Sequence, residues 1–241
     1  FYFVKFTDYD MTTNNNDYWL EIKDIELIRA SRIIFNNLSL KFKYSENIAI
    51  IGPNGSGKSS IIDLIIRNIY PIYKASSSLS IFGSEQIDIW ELRKKISYLN
   101  SDLQSRISPS LKVIEIIVSG IYGKTKVHSI EMNAKVIKQA KAAIKILELE
   151  KYINSPYDEL SDGIKRRVLL ARAIIKEPLI LIIDEPCINL DIKSKLILLD
   201  SLSKLAKTGT RLVIVTHSID SIIQEIDKVV LIKNGSVLKQ G

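Results

Sequence analysis

Hydrophobic and polar positions along the chain follow two periods. Alternation with period two marks Trp19-Leu20-Glu21-Ile22-Lys23 and Leu38-Ser39-Leu40-Lys41-Phe42-Lys43, which predict antiparallel strands of a small sheet. Continuous apolar runs of strand length follow at Ile48-Ala49-Ile50-Ile51 and at residues 179–183, and further strands are predicted at 77–82 (ended by Gly83), 96–99 and 211–215. Helical spacing governs Ile61-Ile62-Asp63-Leu64-Ile65-Ile66, residues 113–118 after the break at Pro109, and residues 129–149. In the last of these Ile130, Ala134, Ile137, Ala140, Ile144 and Leu147 share one face with lysines between them, which suits an all-helical lobe. More helices are predicted from Ser161, over 192–206 and briefly near Ile219, and the end is a hairpin on an Asn234-Gly235 turn. The whole predicts an α/β fold: a mainly parallel sheet flanked by helices, after a small N-terminal antiparallel β subdomain. Without an internal repeat there is one such unit.

Between the strand ending at Ile51 and the helix that follows stands Gly52-Pro53-Asn54-Gly55-Ser56-Gly57-Lys58-Ser59, with Ser60 next. Glycines there let successive backbone N–H groups face one concavity at the positive end of a helix, which suits a triphosphate. In this P-loop reading Lys58 sets a point charge on the β- and γ-phosphates, and the Ser59 hydroxyl takes one position on Mg²⁺. A turn that merely joins strand to helix is the alternative. Further on, Ile180-Leu181-Ile182-Ile183 delivers Asp184 and Glu185 to the carboxyl end of a buried strand, where ligands bind in open parallel sheets. Asp184 can then reach Mg²⁺ and Glu185 can polarise an attacking water; capping a turn before Pro186 is the other use for that pair. A third strand ends in Thr216-His217.

Composition narrows the partners. The chain has 241 residues, enough for one large α/β domain or a domain with a smaller lobe. Its net charge of +7 would suit an anionic partner, yet the lysines alternate with Asp and Glu, as a solvated surface does, so no specific nucleic acid is expected. No apolar run approaches the roughly 18 residues of a membrane helix. One cysteine, Cys187, excludes an internal disulfide framework and fits a reducing compartment. Residues 1–17 are expected to form a poorly ordered extension before a single domain at 18–241.

Together these pieces resemble the ATP-binding-cassette ATPase family. The most specific is Leu160-Ser161-Asp162-Gly163-Ile164-Lys165-Arg166-Arg167, followed by Ala171-Arg172-Ala173, which is similar to the family signature. Ile188-Asn189-Leu190-Asp191 then stands where the loop after the carboxylates falls, and His217 where the switch histidine falls. The resemblance implies a helical signature subdomain at about 101–175 and a head-to-tail pair of cassettes, as a homodimer or with another cassette. Ser161, Asp162 and Gly163 of one would face the ATP held by the other, with Glu185 activating water and His217 touching the γ-phosphate. It further implies an integral membrane permease as partner and a cytoplasmic location, on the inner face of a membrane. Shorter pieces, Val118-Ser119-Gly120 and Asp184-Glu185-Pro186-Cys187 among them, are similar to the soluble, molybdate-transport-related branch.

The chain departs from the family at three points. Arg29 stands where an aromatic ring usually stacks on adenine, and a guanidinium can also stack there. Ser101 stands in place of a glutamine that touches Mg²⁺, with Gln104 three residues on. Asp162 replaces the first glycine of the signature and Ile164 a glutamine, so a carboxylate repels the γ-phosphate unless Lys165, Arg166 or Mg²⁺ compensates. Slower hydrolysis follows from that. A soluble regulatory or translation-associated ATPase and a slow nucleotide-dependent dimerisation switch remain as alternatives to the transport subunit.

Overall fold

In the central strands neighbouring residues point to opposite faces, and both faces are apolar. The computed structural model describes residues 17–100, 102–123 and 133–241. Three strands lie side by side in it: β3 (Ile48–Ile51), β6 (Ile180–Asp184) and β7 (Arg211–Thr216). Ile180, Ile182, Val213 and Val215 face one core, Leu181, Ile183, Leu212 and Ile214 another, and all eight are buried. Strands buried on both faces read as unbroken apolar runs, the mark of a parallel sheet. The sheet has six strands in the order β5-β6-β7-β3-β8-β9, with β5 (Ile96–Leu99) at one end and β8 (Lys228–Lys233) beside β3. All pair in parallel except β9 (Ser236–Gln240), which returns antiparallel through the Asn234-Gly235 turn, where both residues have the positive φ such a turn needs (50° and 71°).

The core on the face of Ile180 and Val213 is closed by a three-stranded antiparallel sheet, β2-β1-β4, and by helix α1 (Lys58–Ile65). The expected short strands of this sheet are longer than predicted: β1 runs Tyr18–Arg29 and β2 runs Arg32–Lys43, with β4 (Ser78–Ile81) on the other side of β1. Bulges shift the register between Ile22 and Ile25 and again between Ile25 and Leu27, which broke the alternation the prediction relied on.

The other core is helical: α4 (Val113–Tyr122), α5 (Ala134–Ile146), α6 (Asp162–Ile174) and α7 (Ile192–Lys207), with the short α3 (Leu103–Arg106) beside α6. Within the predicted 129–149 helix the buried face is Val136, Ala140, Ala143 and Ile144, with Leu147 just beyond, whereas Ala134 is exposed and Ile137 half-buried. Ile130, like residues 1–16, lies outside the described residues. Helix α2 (Ile89–Lys95), absent from the sequence reading, is capped by the Asp88 carboxylate, which accepts from the backbone N–H of Trp90 and Glu91 (2.8 and 3.1 Å).

Candidate functional site

Parallel pairing brings three strand ends to one edge, with Ile51 opposite Thr216 and Asp184 opposite Val215. The glycine loop, the acid pair and His217 leave the sheet there.

The loop's shape explains its residues. Gly57 has φ of +104°, and a Cβ there would lie 2.6 Å from the Phe35 ring of β2, so a side chain is excluded twice over. Pro53, Asn54 and Gly55 are exposed at the tip, and the Gly235 N–H donates to the Ser56 carbonyl (3.1 Å), so the terminal hairpin braces the loop. The Ser56 hydroxyl is buried with no hydrogen-bond partner among the described residues. Lys58 is 6% exposed and its Nζ donates to the carbonyls of Gly52 (2.7 Å) and Pro53 (3.1 Å), so the ammonium lies within the curve of the loop. Ser59 is exposed and Ser60 buried on the first turn of α1, which has no side-chain cap.

Beside the loop, Glu185 is held from several directions. Its backbone takes a left-handed φ of 48°, anchored by its N–H on the Val215 carbonyl (2.8 Å). Oε1 accepts from the His217 N–H (3.0 Å) and lies 2.7 Å from His217 Nδ1, while Oε2 accepts from the Thr216 hydroxyl (3.0 Å). Because a carboxylate only accepts, Nδ1 carries the proton and Nε2 is the free nitrogen. Asp184 is different. Burial, then the Glu185 charge, raises its carboxyl above the ordinary range, while Lys58 draws it back. The Tyr98 hydroxyl donates to its Oδ2 (3.4 Å). A buried carboxylate beside a second one favours a cation. The oxygen donors Ser59 and Asp184 suit Mg²⁺, which takes one or two protein oxygens and completes its shell with phosphate and water.

Sequence reasoning missed two supports of this site. Arg166 is 4% exposed, and its guanidinium donates to the carbonyls of Glu185 (2.8 Å) and Pro186 (3.1 Å). The sequence offered it, with Lys165 and Mg²⁺, as one of three groups that could offset Asp162, and its guanidinium is committed to these carbonyls instead. Lys165 lies over the Tyr157 ring instead, and the contact Asp162 does receive is from Gln104 Nε2 (3.4 Å). Thr216 was legible only as the residue preceding His217.

Other predicted residues lie apart from the edge. Arg29 ends β1 with its guanidinium 3.4 Å from Asp63 on α1. Ser161 and Asp162 are exposed at the start of α6, while Gly163 is buried against α7, where an added Cβ would lie 2.4 Å from the Ser194 hydroxyl. No hydrogen bond among the described residues joins these three to the phosphate loop. Ser101 lies outside the described residues.

Comparison with known proteins agrees with this arrangement. The family model described as "ABC transporter" matches residues 35–188. The ABC transporter ATP-binding protein YlmA of Bacillus subtilis is 29% identical over 227 residues, 92% of this chain and 84% of that protein. Among solved structures, cbiO1 from Clostridium perfringens, part of the ABC transporter complex cbiONQ, superposes with a TM-score of 0.80 at 26% identity, covering 94% of this chain and 89% of that one. A dimeric post-hydrolysis state of the ATP-binding cassette MJ0796, bound to ADP and Pi, gives a TM-score of 0.72 at 27% identity, covering 92% and 97%. With its phosphate loop, acid pair and histidine on one sheet edge and a family match over most of its length, the chain belongs to the ABC transporter family, as an ATP-binding cassette that hydrolyses ATP.

Proposed function

We propose that two cassettes, identical or matched, close around ATP and Mg²⁺ and drive transport through a separate membrane permease at its cytoplasmic face. Residues 18–241 act as one ATPase unit, in which about 101–175 form the lobe that presents Ser161 and Gly163 to the partner's nucleotide. Gly52 to Gly57 receive the phosphates on backbone amides, and Lys58 exchanges its two loop carbonyls for phosphate oxygens. Ser59 and Asp184 hold the magnesium ion, with Ser101 as a further oxygen; when bound, the ion draws charge off the phosphate oxygens. Arg29 reaches the base by leaving Asp63, an exposed pair of a kind worth about 0–1 kcal/mol, so the exchange costs little.

The observation that carries this reading is the Glu185 carboxylate, oriented by Thr216 and His217 at the edge where Lys58 lies. There it polarises the attacking water, and the free Nε2 of His217 contacts the γ-phosphate. Glu185→Gln should lower turnover by at least about 100-fold and yield a stable ATP-bound dimer on size-exclusion chromatography. If that variant stays monomeric with ATP and magnesium at every concentration and no other cassette pairs with it, the composite site is wrong. The permease is tested separately. No helix among the described residues is long and apolar enough to cross a membrane, and a polytopic protein should copurify in mild detergent.

One observation favours a slow dimerisation switch instead: Asp162 is exposed at the start of the signature helix without an ion pair among the described residues. Single-turnover hydrolysis as slow in wild type as in Glu185→Gln would select the switch.

A further inference from the structure

On α7 three of the four lysines are neutralised: Lys195 pairs with Asp220, Lys204 with Asp200 and Glu148, and Lys207 with Glu225. Helix α5 has no such balance. Its exposed residues are Ala134, Lys135, Lys138, Lys141, Ala142 and Lys145, with no Asp or Glu among them, and none of the four lysines forms an ion pair among the described residues. One carboxylate is near: burial raises the Glu177 carboxyl and the Lys135 charge draws it back. Cations also line a cleft of about 910 Å³ between α2, the end of β5 and the helices α4 and α6, but there Lys94 pairs with Glu91 and Arg172 donates to the Ser119 hydroxyl (3.0 Å). The alternation of Lys with acids that marks a solvated surface therefore holds on α7 and fails on α5.

This stripe works against the helix that carries it. Lys135 and Lys138, Lys138 and Lys141, and Lys141 and Lys145 are three or four positions apart, hence neighbours on the surface, and like charges so placed destabilise a helix. Lys135 also stands in the first turn, at the positive end of the macrodipole, where there is no acid. An anion from outside the chain relieves all of these repulsions at once. The apolar side of α5, Val136, Ala140, Ala143 and Ile144, is buried in the helical core, so the helix meets a surface through its charges and not by insertion. The chemistry fits lipid headgroups better than a nucleic acid. Every cation in the stripe is Lys, a point charge on a flexible stem; no Arg offers a planar fork to a fixed phosphate, and no exposed aromatic on α5 offers a face to a base. A fluid anionic leaflet asks for neither.

We propose that the lysine face of α5 is a docking surface for an anionic membrane leaflet, which holds the helical lobe against the bilayer through Lys135, Lys138, Lys141 and Lys145. The inference deepens the proposed function and rests on it for the nearness of a membrane. It adds a lipid contact that needs no partner protein.

The test uses the full chain and cosedimentation with vesicles of phosphatidylcholine, either alone or with about a third phosphatidylglycerol. At low salt the anionic vesicles should bind at least about tenfold more tightly than the neutral ones, and the preference should fade as salt is raised. Replacing the four α5 lysines together by Gln, which suits a helix, should abolish the preference and leave basal ATP turnover unchanged. Lys138→Gln with Lys141→Gln serves if the quadruple variant does not fold, and should weaken binding at least about fivefold. Replacing Lys23, Lys193, Lys233 and Lys239, exposed on other elements, by Gln removes the same charge and should keep most of the preference. Equal binding to the two kinds of vesicle overturns the docking surface, and so does an equal loss in the two quadruple variants, which would assign the attraction to net charge. Tighter binding of polyuridylate than of anionic vesicles at equal phosphate, lost in the α5 variant, overturns the leaflet as occupant. A chain that no polytopic protein accompanies, yet which binds anionic vesicles through these lysines, loses the permease and keeps the lipid contact; one that copurifies with such a protein and ignores the vesicles does the reverse.

Discussion

Glu185 adopts a left-handed backbone (φ 48°), which for a residue with a side chain costs of order 1–3 kcal/mol. Its own N–H on Val215 and the Arg166 fork on the carbonyls of residues 185 and 186 hold it there. Charge-assisted hydrogen bonds are worth about 1.5–3 kcal/mol each, so Arg166→Met should destabilise the fold by about 3 kcal/mol in urea unfolding. It should also lower turnover more than tenfold, because the carboxylate loses its orientation. Arg166→Lys restores the charge without the planar fork and should recover less than half of either effect. A turnover unchanged in both variants would make Arg166 a packing residue only. The loop, the acid pair and His217 were legible because each follows a strand-length apolar run. Arg166 was not, because an arginine among Lys165 and Arg167 reads as a surface cation until the fold buries it.

Helix α2 shows why whole elements escape a periodicity argument. Of its seven residues only Leu92 is buried, while Trp90, Arg93 and Lys94 face the cationic cleft, so no apolar stripe marks it. What fixes the helix is its cap, and Asp88→Ala should cost about 1 kcal/mol in thermal or urea unfolding. Helix α7 is started in the same way. Asp191 accepts from the Ser194 N–H (2.9 Å) and hydroxyl (2.6 Å), and the side-chain bond, ahead of the backbone one, holds its carboxyl below the ordinary range. A carboxyl depressed in the folded state stabilises at neutral pH, and that contribution is lost as pH falls through its folded value. Wild-type melting temperature should therefore fall more than that of Asp191→Asn on acidification below about pH 4. Parallel curves would remove the cap from the acid response. In β1 and β2 the alternation was legible but not the length, since positive φ at Asp24 and Asn37 and the bulges beside them cut each strand into pieces that look separate.

Across the whole molecule the two faces of the central sheet do different work. One packs on the antiparallel sheet and α1, which position the phosphate loop; the other packs on α4 to α7, which carry the signature. The apolar pattern accounts for this division, because even and odd residues of each central strand are equally apolar. It could not foretell how the signature meets a nucleotide, since in the proposed pairing that surface is completed by a second molecule. Within one chain, Asp162 begins α6 with its carboxylate at the helix's positive end, where the proposed pairing brings the other cassette's γ-phosphate. The carboxylate offsets the dipole that would attract the phosphate, and neither Lys165 nor Arg166 compensates, being engaged by Tyr157 and the carbonyls after Asp184. Removing one charge at a helix start is worth about 0.3–1 kcal/mol, and up to about 2 kcal/mol where the site is partly enclosed, as it becomes between two cassettes. In a Glu185→Gln background, Asp162→Asn should therefore lower the ATP concentration needed for dimerisation by roughly two- to thirtyfold, read by light scattering. The gain should be greatest at low salt, since screening already weakens the repulsion at high salt. An Asp162→Asn protein that pairs at the same ATP concentration as its parent, at every ionic strength, would place this carboxylate away from the phosphate and with it the signature outside the composite site.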